Sequence, residues 1–90
     1  MDVVDEKIQN LQRKLRLLRQ VFDININNFA DLIGVTRQTI YNIENDKTPL
    51  TKTQYLAICQ IFEVLMEKYP DKRSIIESVW NSDLDRKSVV

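Results

Sequence analysis

The sequence predicts an all-α domain, a compact bundle of about five helices. Three observations predict it. The 90-residue chain holds one glycine and two prolines, so little interrupts helix formation. Apolar residues at Val4, Ile8, Leu11, Leu15, Leu18 and Phe22 recur at spacings of 4, 3, 4, 3 and 4, the period of one helix face. Finally, Asn25, Thr36 and Thr51 each stand one residue after an apolar residue and four before another. That is the pattern of a helix N-cap with its hydrophobic staple.

The first helix is expected over about 3–22, with bases on its outer faces and Leu17 and Val21 widening the apolar stripe. Asn25 caps a short second helix, about 26–33, with Ile24 and Phe29 as staple and Ala30, Leu32 and Ile33 on the buried side. Gly34 follows, where a helix ends on a left-handed residue. Thr36 caps a third helix, about 37–45, stapled by Val35 and Ile40. Ile40 and Ile43 form its buried stripe, leaving Arg37, Gln38, Tyr41, Asn42 and Asn45 outward. Asn45 and Asp46 end it, being poor helix formers.

The fourth helix, about 52–69, has the clearest start: Thr51 and Gln54 form a capping box, and Leu50 and Tyr55 a staple. Tyr55, Ile58, Cys59, Phe62, Leu65 and Tyr69 make its stripe, and Pro70 stops it. Asp71 is placed to cap a fifth helix, about 72–80, carrying Ile75, Ile76, Val79 and Trp80. The expected organisation is one domain over 1–80 and a frayed, polar tail over 81–90.

Thirteen basic residues balance thirteen acidic ones. The distribution is less neutral than the sum. Residues 7–54 carry eight bases against four acids, a net +4, while residues 1–6 contribute −3 and residues 55–90 contribute −1. A basic centre with acidic flanks can present one phosphate-binding face; it can also be a solvated helix surface. The lone Cys59 allows no internal disulfide. Together with the acidic start and the absence of a long apolar run, it gives a cytoplasmic location as the expectation, with no membrane contact.

Catalysis finds little support. The chain has no histidine, an isolated cysteine and scattered carboxylates, which make no metal-ligand cluster. Phosphate-binding and nucleophile-elbow motifs are absent. No enzyme activity, cofactor, metal or small-molecule substrate is therefore expected. Cys59 reads as a small core residue, and Trp80 as a core residue or part of a dimer interface.

The informative stretch is 25–45. Two short helices joined by Gly34-Val35-Thr36 have the length and turn of a helix-turn-helix. The stretch from Asn25 to Lys47 resembles the repressor/Cro-like (XRE) family of phage and bacterial regulators, and the similarity extends over about 11–65. Ala30 matches the small residue at the helix crossing, and Gly34-Val35-Thr36 the turn. Ile40, Ile43 and Glu44 match the apolar positions and terminal Glu of the recognition helix. Asp46 stands where the family prefers glycine, Ile26 where relatives place a polar phosphate contact, and Cys59 where they place alanine.

The resemblance implies a lambda-repressor-like DNA-binding domain that acts as a homodimer on double-stranded DNA. It implies base reading by Arg37, Gln38 and Asn42, since Arg suits guanine and Gln or Asn suits adenine. Thr36, Tyr41, Asn45, Lys47 and Lys52 are implied as backbone contacts, with Arg13, Lys14 and Arg16 as weaker candidates. It further implies a buried ion pair between Arg19 and Glu44. The leading expectation is a sequence-specific transcriptional regulator, a repressor. The rival is a protein-interaction module, of antitoxin or regulatory-partner type, on the same fold. The neutral net charge and the 3-4 spacing of helix 1, which also suits a helix-helix interface, keep that rival open.

Overall fold

In the computed structural model, which describes residues 3–81, five α-helices follow one another: α1 Val3–Val21, α2 Ile26–Ile33, α3 Arg37–Glu44, α4 Lys52–Lys68 and α5 Pro70–Trp80. No strand occurs among the described residues. The tail expected to fray lies, from residue 82 onward, outside them.

Local chemistry accounts for most boundaries. α1 ends where Asp23 turns left-handed, at φ 60, a conformation Asp adopts more readily than most residues. The Asn25 Oδ1 accepts from the Asn28 N–H at 2.8 Å and so caps α2. Gly34 follows at φ 88, and both its N–H and that of Val35 donate to the Ala30 carbonyl. A Cβ at Gly34 would meet open space, so glycine is needed there for its backbone rather than for room. Thr36 and Thr51 cap α3 and α4, and Gln54 completes the capping box at Thr51.

The α4–α5 junction differs from the expectation. α4 stops at Lys68, and α5 begins at Pro70 without a capping side chain. Proline suits the first position of a helix, where an N–H would have no partner. Pro70 therefore opens α5, and Asp71 falls inside the first turn instead of capping it. There its charge complements the positive end of the helix dipole.

The core gathers one face of each helix. Leu15, Leu18, Phe29, Ile58, Phe62 and Ile76 are each fully buried. Phe62 stands at its centre, with the rings of Phe22, Phe29 and Trp80 each 5.8 Å away between centroids. Trp80 thus packs on the core. Some residues expected inside are not: Leu17, Leu32 and Ile75 are 42%, 47% and 52% exposed. Each is adjacent in sequence to a residue that faces inward, and a step of one residue turns a side chain about 100° around the helix. Val4 and Tyr69, at the outer ends of their stripes, also emerge into solvent.

Two lysines tie α1 to α5. Lys14 Nζ donates to the Trp80 carbonyl at 2.9 Å, and Lys72 Nζ to the Val21 carbonyl at 2.7 Å. Each ammonium satisfies a last-turn carbonyl of the other helix, at the end where the dipole favours a cation. The helices accordingly run antiparallel. Lys14 is only 5% exposed, which removes it from the candidate phosphate contacts.

Candidate nucleic-acid interface

The turn between α2 and α3 sets the site. Ile40 and Ile43 anchor the inner side of α3 at 1% exposure each. With that side fixed, a period of 3.6 residues leaves Arg37, Gln38 and Tyr41 exposed and Asn42 half-buried. Ala30 of α2 is likewise buried.

Three residues of α1 hold the far end of α3. Arg19 meets Glu44 twice, Nε to Oε2 at 2.7 Å and Nη2 to Oε1 at 2.9 Å. Its Nη1 donates to the Ile24 carbonyl at 2.8 Å, so the same guanidinium also fixes the approach to α2. Arg16 contributes Nε to Glu44 Oε1 at 3.5 Å and Nη2 to Asn45 Oδ1 at 3.2 Å. The Glu44 side chain is 2% exposed, as a carboxylate held by arginine can be.

The third is Gln12, which the sequence reading did not single out. Its Nε2 donates to the Ile43 carbonyl at 3.0 Å and the Thr48 carbonyl at 2.9 Å, while its Oε1 accepts from the Leu50 N–H at 3.0 Å. One amide therefore serves three backbone groups of the segment leaving α3. The available signal was its place beside Leu11 and Leu15 on the inward side of α1, where a polar residue needs partners. Gln12→Ala is expected to cost about 1–3 kcal/mol, the penalty for stranding such groups. Urea unfolding monitored by helical circular dichroism would measure it, and a loss below about 0.5 kcal/mol would show that water replaces the amide freely.

The remaining candidates lie around the two ends of α3. Thr36 Oγ1 accepts from the Thr39 N–H at 3.2 Å and shares a hydrogen bond with Thr39 Oγ1 at 2.9 Å, so it is engaged as a cap. Asn45 Nδ2 donates to the Tyr41 carbonyl at 2.8 Å. The Lys47 ammonium sits 5.8 Å from the centroid of the exposed Tyr41 ring, which groups those two side chains on one surface. Asp46 occupies φ 62, the left-handed geometry that accounts for glycine being preferred at this position. Lys52 is exposed in the first turn of α4, and Arg13 is exposed on α1 with its Nη1 on Asn10 Oδ1 at 2.9 Å.

No group of three His, Cys, Asp or Glu residues among those described could hold a metal ion. Burial pushes the Cys59 thiol above its ordinary pKa, against a hydrogen bond from Tyr55 that pulls it down. The thiol therefore stays protonated at neutral pH, the unreactive form. No described helix is long and apolar enough to cross a membrane.

A left-handed glycine between two eight-residue helices, with a buried inner face and a polar outer face on the second, defines a helix-turn-helix protein. The Helix-turn-helix family model of the Cro/C1 (XRE) type matches residues 15–68. That is more than half of the chain, which belongs to this family. No curated protein and no solved structure matches it. Membership implies DNA as partner, and the family is typically non-enzymatic.

Proposed function

We propose that the protein is a sequence-specific transcriptional regulator, a repressor, that binds as a homodimer to two related half-sites and reads the major groove with α3. The observation that supports this reading is the outer face of α3: Arg37, Gln38 and Asn42 together on a helix whose inner face is buried and whose far end is fastened to α1. Rigid presentation of a few polar side chains is what base-edge recognition requires. Tyr41, Lys47 and Lys52 supply the backbone contacts, with Thr36 and Asn45 at the two ends of α3. One such domain spans few base pairs, so a second copy, one helical turn along the duplex, completes the specificity. Occupying a site in this way excludes other proteins from it, which is how a domain with no catalytic group can repress.

Selection of bound sites from random duplexes tests this directly; a two-fold-symmetric pair of half-sites is the expected product. Titration at several salt concentrations provides a second test. Some four to eight phosphate contacts per dimer imply a log–log slope of roughly −4 to −7. A slope near zero on any duplex would favour the rival reading, a module that binds another protein through this fold. On the selected site, Lys47→Ala is expected to weaken all sequences about equally and to make the slope shallower by about one unit for each phosphate it ceases to neutralise. Gln38→Ala is expected to cost about 1–3 kcal/mol and to relax preference at one base pair per half-site.

A further inference from the structure

We propose that the seam between α1 and α5 holds an effector site for a small carboxylate on an apolar body, and that filling it tightens DNA binding. The effector role rests on the DNA-binding reading above; the site itself does not. A cleft of about 220 Å³ opens at this seam, with Tyr55 of α4 on its wall. Except for Leu18 and Tyr55, its described lining residues lie outside the 15–68 stretch that the family model matches. The walls define the ligand. Leu11, Leu18 and Trp80 supply apolar surface, and Lys7 and Lys14 supply positive charge. Among the described residues, no carboxylate lines the cleft. Apolar walls with a few polar groups are the usual make-up of a small-ligand site. Lys14 is 5% exposed, so its charge acts where attraction is less weakened by water. A cavity of about 150 Å³ is enough for benzene, and this larger one has room for a ring bearing a carboxylate. A bare inorganic anion would leave the apolar walls unfilled.

The site is coupled to α3 through α1. That helix contributes Leu11, Lys14 and Leu18 to the cleft, and its Gln12, Arg16 and Arg19 hold the exit of α3. Lys14 already joins α1 to the last turn of α5 through the Trp80 carbonyl. A ligand bridging the same seam restrains α1 further, so less ordering is left for DNA to impose.

The probe is benzoate, with benzamide as its uncharged counterpart, titrated into the full chain by calorimetry. Benzoate is expected to bind with a Kd of about 1 mM or tighter. It should also shift the indole N–H resonance of Trp80, the chain's only tryptophan. Benzamide should bind about tenfold more weakly or worse, the loss of a charge-assisted contact. Lys7→Gln, at an exposed position, should weaken benzoate by a similar factor and keep its helical circular dichroism. Lys14→Met is the harsher variant, since it also removes the tie to the Trp80 carbonyl. On the duplex recovered by site selection, saturating benzoate should raise affinity about fivefold or more. Equal binding of benzoate and benzamide, no weakening in Lys7→Gln, or an unmoved Trp80 resonance would overturn the site. Binding that appears only in the Asp83→Asn, Asp85→Asn double variant would assign the cleft to the chain's own acidic segment and overturn it as well. Unchanged duplex affinity at saturating benzoate would overturn the effector role. Recovery of no duplex at all would overturn the DNA-binding reading, while the benzoate titration still decides the site.

Discussion

Arg19→Ala is expected to lower stability by about 3–5 kcal/mol, the cost of breaking a buried ion pair from one side. The variant would strand Glu44, whose side chain is 2% exposed, beside only the half-exposed Arg16 at 3.5 Å. Arg16 cannot take over, because an exposed arginine held at that distance contributes little. Glu44→Ala should fall at the lower end of the same range. It leaves Arg19 with the Ile24 carbonyl, and a long side chain at 12% exposure can swing its charge toward water. The double variant should lose less than the two singles combined, because the partners share one interaction. Urea unfolding of the three variants measures this. Additive losses under about 1 kcal/mol, the range of exposed pairs, would show that the pair is solvated in solution. Since Arg19 also fixes the Ile24 carbonyl, the singles should weaken duplex binding at temperatures below their unfolding, through loosened placement of α3.

Phe62→Ala is the second large effect, expected at about 3–5 kcal/mol. Phe62 is fully buried and touches rings from three other segments: Phe22 after α1, Phe29 of α2 and Trp80 at the end of α5. Rings converging from separate helices cannot collapse into the void without moving those helices, so the cavity cost adds to the lost transfer energy. In a domain whose total stability is about 5–15 kcal/mol, such a loss should lower the Tm by roughly 15 °C or more. Phe62→Leu, which retains most of the volume, should recover over half of it. Calorimetry on both variants gives the answer, and equal losses would mean that the rings contribute through more than filled space.

Much of the fold was legible because its punctuation is chemical and local. Asn25, Thr36 and Thr51 cap the helices that their side chains nominated, and Gly34 takes the left-handed geometry that its place implied. The misplacements are small steps around or along a helix. Leu17, Leu32 and Ile75 carry the right chemistry at the wrong angle, since apolar character does not specify which edge of a stripe meets a neighbour. Pro70 reads as a stop because proline disfavours a continuing helix, yet the same missing N–H makes it a good first residue of the next.

The candidate site divides in the same way. The helix-turn-helix and the outward set Arg37, Gln38, Tyr41 and Asn42 follow from local pattern, because periodicity and motif spacing need no knowledge of distant neighbours; the pairing of Arg19 with Glu44 came from the family resemblance alone. Packing alone assigned partners to the charges and amides. It buried Lys14 against the end of α5, gave Arg16 to Glu44 and Asn45, and set Gln12 against the exit of α3. These contacts join residues at least 28 positions apart in the chain. A hydrogen bond depends on distance and angle to its partner, and those are properties of packed helices that no local pattern encodes.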